Sequence, residues 1–186
     1  METFLKDRII LGIDPGSNIT GYGVLQEKGK TLEVLGIGII RMDKMSDHFV
    51  KIKHIFDRTL QLIDGFHPDE LAIESPFEGK NVQSMLKLGR AQGAAIAAAL
   101  SREIPIIEYA PRKVKLAITG NGAASKEQVA AMLTKILKIE KQETLDASDG
   151  LAVALCHYYQ RKSLGESGKC KNWNEYIKKH NITVEK

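Results

Sequence analysis

Four acidic residues stand where predicted strands end or where a predicted helix begins. Asp14 closes the apolar run "RIILGID", and the Pro-Gly pair that follows it predicts a type II turn. Glu74 closes "ELAIE". Asp146 and Asp149 are three residues apart near the start of an amphipathic segment, a spacing that puts both on one helix face. Each has an ordinary explanation alone, namely a turn, a solvated strand end or a favourable interaction with a helix dipole.

Taken together, these carboxylates predict a metal site. Clustered like charges raise one another's pKa unless a cation neutralises them. Oxygen-only ligands suit a hard ion such as Mg2+. Two such ions, about 3.5–4 Å apart, stabilise the attacking and leaving oxygens in phosphodiester hydrolysis. The apolar residues after Asp149 indicate that its helix is soon buried, so the two aspartates are not expected on an idle solvated surface.

Basic and aromatic residues near the carboxylates are candidates for holding a nucleic acid. Lysine and arginine bind phosphates and make binding depend on salt, and an exposed aromatic ring stacks on an unpaired base. The ordinary alternatives are a solvated basic face and, for the aromatic residue, a place in the core. The candidates for such phosphate and base contacts are Phe77, Lys80, Asn81, Arg90, Arg112, Lys113, Lys115 and Lys126.

The hydrophobic pattern predicts the elements that must position these residues. Three strands joined by hairpins are predicted in residues 8–14, "GYGVLQEKG" and "TLEVLGIGII". Two more strands are predicted within "PDELAIESPF" and "IPIIEYAP". Helices are expected in "HFVKIKHIFDRTLQLIDGF", over residues 80–102, after the capping box of Ser125 and Gln128, and in "TLDASDGLAVALCHYYQRK". The order βββαβαβαα predicts one α/β domain whose five-stranded mixed sheet has three antiparallel and then two parallel strands.

The composition is that of a globular protein with a mildly basic balance. The 186 residues carry a formal net charge of +4, and the pI is near 9.0, which permits a polyanionic partner without requiring one. Cys156 and Cys170 follow no metal or disulfide spacing and are expected to be reduced thiols. No signal peptide is recognised, and the longest apolar stretch, "GAAIAAAL", is too short to span a bilayer. We therefore expect a cytoplasmic protein without a membrane partner.

Five motifs of the chain resemble, in order and spacing, those of the RuvC family of bacterial Holliday-junction resolvases. They are "LGIDPGSNITGYGV", "AIESPFEGKN", "LKLGRAQGA", "YAPRKVKLAITGNGAASKEQV" and "DASDGLAVALCH", and together they span roughly residues 8–160. The chain departs from the family pattern at Ser148 and Gly150, where alanine is usual, and glycine within a helix costs up to ~1 kcal/mol relative to alanine. The tail after about residue 164 lies outside the resemblance.

The resemblance implies an RNase H-like nuclease domain over residues 1–164. From their polar composition, residues 165–186 are expected to be an extension that forms a short helix. It implies a Mg2+-dependent endonuclease that resolves Holliday junctions by paired symmetric nicks during homologous recombination and DNA repair. Two Mg2+ ions per active site are expected, with Mn2+ as a substitute. The catalytic metal ligands carried over from the family are Asp14, Glu74, Asp146 and Asp149.

The resemblance also implies contacts and partners. An aromatic residue at position 77 contacts bases at the junction centre, and lysines at positions 115 and 126 assist catalysis and strand binding. The RuvA–RuvB branch-migration complex is the implied partner. The implied homodimer uses the helix of residues 80–102, where small residues recur every four positions and permit close approach: Gly89, Gly93 and Ala97.

Two other functions remain as alternatives to a structure-selective endonuclease. An ATPase or sugar kinase of the actin-like group also begins with "GIDxG" before a hairpin, but it needs two such lobes, and no second phosphate-binding glycine loop follows here. A module that binds junctions without cutting them is expected to lack a carboxylate, and none is lost in this chain.

Overall fold

Five strands form one sheet in the computed structural model, which describes residues 7–29, 31–76, 81–140, 142 and 144–163. In chain order the strands are β1 (Arg8–Asp14), β2 (Ile19–Lys28), β3 (Thr31–Arg41), β4 (Glu70–Glu74) and β5 (Ile106–Tyr109). Their spatial order is β3-β2-β1-β4-β5. The pairs β1–β2 and β2–β3 are antiparallel, and the pairs β1–β4 and β4–β5 are parallel. The predicted mixed sheet is therefore confirmed.

Five helices accompany the sheet, one more than the sequence pattern predicts. They are α1 (His48–Phe66), α2 (Val82–Leu100), α3 (Pro111–Thr119), α4 (Lys126–Leu137) and α5 (Leu145–Ser163). The capping box predicted at the start of α4 is present, because Ser125 and Gln128 each bond the other's backbone N–H. None of the described helices is long and apolar enough to cross a membrane.

Helix α3 is the element that the sequence pattern missed. It has nine residues, and only Val114 and Ile118 of them are buried, so its periodic signal is short. Its ends do carry standard signals. Pro111 occupies the first turn, where a missing N–H costs nothing, and Gly120 ends the helix with a left-handed φ of 74°.

Side chains of the sheet alternate between two apolar layers, as the two-residue period of a strand requires. Ile10 and Ala72 pack against α5, in a layer that also takes residues from α3 and α4. Leu11 and Ile73 pack on the opposite face, against α1 and α2. The sheet is thus covered on both faces, and its functional edge is where the parallel strands end.

Glycines bring α5 into direct contact with the sheet backbone. A Cβ at Gly12 would lie 2.3 Å from the carbonyl oxygen of Gly150, and a Cβ at Gly150 would lie 2.4 Å from Cα of Tyr22. Glycine at position 150 lowers the helix propensity of α5, but it allows the helix to lie against the sheet backbone. Alanine at this position would require α5 to shift.

A chain of polar groups is buried between α5 and the sheet. The hydroxyl of Tyr109 lies 2.7 Å from Nδ1 of His157, and Nε2 of His157 lies 2.8 Å from a carboxylate oxygen of Glu70. Arg8 donates to the other oxygen of Glu70 at 2.6 Å, and Arg161 lies 3.5 Å from the same carboxylate. The chain ties β1, β4 and β5 to the second half of α5.

Candidate active site

Asp14 and Glu74 lie side by side at the carboxyl edge of the sheet. Strands β1 and β4 are parallel neighbours, and Ile13 pairs with Ile73 immediately before the two acidic residues. Gly12 and Ala72 face α5, so the alternation of strand side chains puts Asp14 and Glu74 on that same face. Sequence-distant carboxylates are brought together here by strand pairing alone.

The turn after Asp14 differs from the prediction. Gly16 does not take the left-handed conformation that a type II turn requires, so that turn assignment is wrong. Instead, Thr20 accepts from the Gly16 N–H at 3.1 Å and donates to the Gly16 carbonyl at 3.2 Å. A Cβ at Gly16 would lie 1.8 Å from the carbonyl oxygen of Ile19, so close approach accounts for the glycine.

Helix α5 brings the other two predicted carboxylates to this edge. Its start rests on β2, because a Cβ at Gly21 would lie 1.9 Å from the carbonyl oxygen of Asp146. Nζ of Lys126 lies 3.3 Å from a carboxylate oxygen of Asp146 and 2.5 Å from one of Asp149. The first residue of α4 therefore places a positive charge between the two aspartates of α5.

Three of the four carboxylates have raised pKa values, as expected where negative charges are buried without enough positive charge to offset them. Burial, together with the charge of Asp149, raises the pKa of Asp14 to about 7, although a side-chain hydrogen bond with Glu74 acts in the other direction. Burial, together with Asp14 and Asp149, raises the pKa of Glu74 to about 8. Burial also raises the pKa of Asp149 despite its bond to Lys126. A divalent cation would remove these penalties.

The donor set fits a hard divalent ion, but the side chains do not surround one point in their present positions. Among the described residues, no three acidic, histidine or cysteine side chains lie close enough together to hold a metal ion. Lys126 occupies the position between Asp146 and Asp149. Four carboxylates at one edge nevertheless supply the oxygen-only ligands that Mg2+ and Mn2+ take.

The basic residues predicted to bind DNA take different positions. Lys115 lies close enough for its charge to lower the pKa of Glu74 and Asp149, so it belongs to the site together with Lys126. The ammonium of Lys113 lies 5.3 Å from the centre of the Tyr109 ring. Arg112 lies in the first turn of α3, and the basic residues that follow it also lie on this helix.

The other DNA-binding candidates are only partly described. Asn81 caps α2, because its side-chain oxygen accepts from the Ser84 N–H at 3.2 Å. Arg90 is exposed on α2. Phe77 and Lys80, like the predicted extension over residues 165–186, lie outside the described residues.

Two positioning residues were not recognised from the sequence. Gln92 is buried in the alanine-rich helix α2, and its amide donates to the carbonyl of Glu74 at 3.4 Å. Ser75 donates to the carbonyl of Tyr109 through its N–H at 2.9 Å and through its hydroxyl at 3.2 Å. A glutamine on the apolar face of a helix was the available signal, because a buried amide needs a polar partner.

The fold and site together define a class. A mixed five-stranded sheet with carboxylates from β1, β4 and the last described helix is the arrangement of RNase H-like proteins. Comparisons with known proteins narrow the class further. Residues 10–157 match the family model described as "Crossover junction endodeoxyribonuclease RuvC". The chain belongs to the RuvC family of crossover junction endodeoxyribonucleases.

Individual relatives agree with this assignment. A RuvC from Bacteroides fragilis is 56% identical over 180 residues, which cover 95% of each chain. A RuvC from Porphyromonas gingivalis is 54% identical over 181 residues, which cover 94% of this chain and 96% of that one. Thermus thermophilus RuvC, solved in complex with Holliday junction substrate, superimposes with a TM-score of 0.77 and 32% identity over 84% of this chain and 96% of that one.

Proposed function

We propose that this protein hydrolyses phosphodiester bonds in four-way DNA junctions at the four-carboxylate site, with two Mg2+ ions as cofactors and Mn2+ as a substitute. The observation that carries the proposal is the convergence of Asp14, Glu74, Asp146 and Asp149 from three elements at one edge of the sheet. The raised pKa values of Asp14, Glu74 and Asp149 fit a site adapted to a bound cation. The similarity to a RuvC solved with its junction substrate supports the choice of substrate.

The residues of this chain have separable tasks in the proposed reaction. The bound divalent ions would supply a nucleophile at neutral pH and stabilise the leaving oxygen. On metal binding, Asp14 and Glu74 would release to water the protons that burial and the charge of Asp149 retain near neutral pH. Lys126 moves off Asp149 and, with Lys115, offsets the negative charge of the phosphate.

The proposed junction contacts combine electrostatics with one aromatic ring. Phe77 stacks on a base at the crossover, where unpaired bases expose their faces. The basic and polar residues bind phosphates or sugars, which position the DNA without reading its sequence. The residues proposed for these phosphate and sugar contacts are Lys80, Asn81, Arg90, Arg112, Lys113, Lys115 and Lys126.

A homodimer through α2 matches the symmetry of the substrate. A Cβ placed at Gly89 or Gly93 would meet nothing within 4 Å, so this face of α2 is not used for packing within the described part of the protomer. Apolar side chains on the same helix are exposed, namely Val82, Leu86 and Leu100. A two-fold dimer places two active sites on a junction that is itself approximately two-fold symmetric. We further propose that the RuvA–RuvB complex delivers the junction and that the reaction occurs in the cytoplasm.

The decisive experiment uses a labelled synthetic four-way junction and a linear duplex that carries one of its arms. With Mg2+ the protein is expected to cut the junction at paired positions and leave the duplex intact. Asp14→Asn keeps the shape of the side chain and removes its charge, so it should bind the junction without cutting it. Normal cutting by Asp14→Asn would contradict the metal site. Binding by the unaltered protein without cutting in Mg2+ or Mn2+ would identify a junction-binding module instead.

A further inference from the structure

A basic cleft opens beside the candidate active site, where the β1–β2 connection meets the starts of α1 and α2. Its volume is about 150 Å³, which leaves room for one phosphate group. Three separate segments of the chain form its wall. The lining residues are Ser17, Asn18, Ser46, His48, Lys51 and Lys87.

The chemistry of the lining favours an anion. No carboxylate lines the cleft, and within the described part of the chain neither Lys51 nor Lys87 forms an ion pair. Nζ of Lys51 donates to the amide oxygen of Asn18 at 2.7 Å, a neutral partner that orients the ammonium and leaves its charge uncompensated. Nε2 of His48 is buried and, among the described residues, has no hydrogen-bond partner. Two uncompensated positive charges beside hydroxyl and amide donors are the groups that bind a phosphate.

The position of the cleft relates it to the carboxylates. Ser17 follows Asp14 by three residues, which span at most about 11 Å of chain. Asp14 faces α5, whereas the cleft faces α1 and α2, so the turn after β1 separates the two. A strand that crossed this edge of the sheet would have the carboxylates on one side of the turn and the cleft on the other.

We propose that this cleft binds a phosphodiester group of the cleaved DNA strand, close to the linkage that is cut. The inference rests on the proposed endonuclease function and adds a phosphate site apart from the lysines of α3 and α4. A second fixed phosphate sets the register of the strand at the carboxylates, which a single contact cannot do.

The protein side of the test neutralises the cleft. The double variant Lys51→Gln/Lys87→Gln is expected to bind the junction about tenfold more weakly near physiological salt. The slope of the logarithm of its association constant against the logarithm of salt concentration should become shallower by about 0.9 for each phosphate that the protein no longer neutralises. Lys53→Gln is the matched control, because Lys53 lies on the same helix but pairs with Asp57 outside the cleft. Circular dichroism melts confirm that all variants keep the fold.

The DNA side of the test neutralises single phosphates. Junctions that carry one methylphosphonate linkage are compared at successive positions around the cut. At one or two positions the neutral linkage should weaken binding by the unaltered protein about as much as the double variant does. The two reductions in affinity should not add when that linkage and the double variant are combined, because both changes remove the same interaction.

The outcomes separate this inference from the proposed function. The phosphate site would be overturned if the two losses of affinity added fully at every linkage position, or if the double variant kept the salt slope of the unaltered protein. Cleavage by the unaltered protein would still support the proposed nuclease. A third outcome would also overturn the proposal. If inorganic phosphate shifted the His48 ring resonances of the unaltered protein while the double variant bound the junction normally, the cleft would bind a free anion rather than the DNA. Failure of the unaltered protein to bind or cut any junction would reject the proposed function itself.

Discussion

Nζ of Lys126 lies 2.5 Å from Oδ2 of Asp149, and this contact places the first residue of α4 inside the acidic cluster. Burial opposes the charge of Lys126, but the hydrogen bond and the neighbouring carboxylates raise its pKa, so the ammonium stays charged at any working pH. Its charge in turn lowers the pKa of Asp14 and of Glu74. Lys126 is therefore positioned to tune the groups proposed to bind the metal ions.

Removal of that charge should slow cutting and shift its pH dependence. In Lys126→Met, Asp14 and Glu74 lose a neighbouring cation, their pKa values rise, and ionisation requires a higher pH. We expect junction cleavage to fall by about 10–100-fold at pH 7, with part of the loss recovered at pH 9. The measurement is the single-turnover rate against pH at a fixed, subsaturating Mg2+ concentration, where protonation of the carboxylates still competes with the metal ion. Lys135→Met, which alters another lysine of the same helix, is the control, and a loss that is equal at both pH values would contradict the electrostatic explanation.

The raised pKa values also predict how stability depends on pH without metal. Asp14 and Glu74 bind protons more tightly in the folded protein, at pKa values of about 7 and about 8, than the ordinary 3.8 and 4.5. The unfolded chain therefore holds fewer protons, and the free energy of unfolding falls as pH rises from about 4 to about 8. In EDTA, the melting temperature of the unaltered protein should drop by several degrees across this range.

Two variants and one addition test the same linkage. Asp14→Asn should flatten the decline in melting temperature, because it removes one of the titrations whose pKa is raised in the folded protein. Asp57→Asn, which alters an exposed ion pair with Lys53, should leave the decline in place. Mg2+ should raise the melting temperature more at pH 8 than at pH 5, since only the ionised carboxylates bind it. A metal-free melting temperature that rises steadily with pH would contradict the pKa values.

The sequence predicted the sheet and its carboxylate edge because both depend on short, regular patterns. Alternation fixes which strand residues face α5, and parallel pairing then brings Asp14 beside Glu74. Helix α3 escaped prediction because two buried residues, Val114 and Ile118, give too short a period. The basic residues after β5, to which the sequence pattern assigned no element, therefore lie on a helix.

Contacts between packed helices had no sequence signal. The approach of Lys126 to Asp149 depends on how α4 lies against α5, which no spacing along the chain specifies. The basic cleft likewise joins positions 17, 51 and 87 from three segments, and each of these residues alone is an ordinary surface residue. The contact between Lys126 and Asp149 and the cleft both arise from tertiary packing. The sequence therefore placed Lys126 in the site only through the family resemblance, and it did not indicate the cleft.

The exposed small residues of α2 predict a dimer that one substitution dissociates. A side chain at Gly93 would meet nothing within 4 Å in the described part of the protomer, so Gly93→Leu should leave the melting temperature nearly unchanged. If a second α2 approaches this face, the leucine would hold the two helices apart, and light scattering should report a monomer. Gly65→Leu, at another open position near the end of α1, is the control. A stable Gly93→Leu dimer would place the interface elsewhere.

The buried chain of Tyr109, His157 and Glu70 predicts that a substitution outside the candidate active site causes a large loss of stability. His157 is 3% exposed and bridges Tyr109 and Glu70, so His157→Phe leaves a buried hydroxyl and a buried carboxylate each without one partner. The expected cost is roughly 2–4 kcal/mol, or a fall in melting temperature of about 5–15 °C for a chain of this size. Circular dichroism melts at pH 7 measure it.

A matched control separates burial from charge in the His157→Phe result. Asp64→Asn breaks the exposed ion pair between Asp64 and Arg102, which contributes little to stability because water screens it. Its melting temperature should therefore change by only a few degrees. If His157→Phe moved the melting temperature no more than Asp64→Asn, the Tyr109–His157–Glu70 chain would contribute no more than a surface ion pair. The hydrogen bonds between β4, β5 and α5 would then have a role other than stabilising the fold.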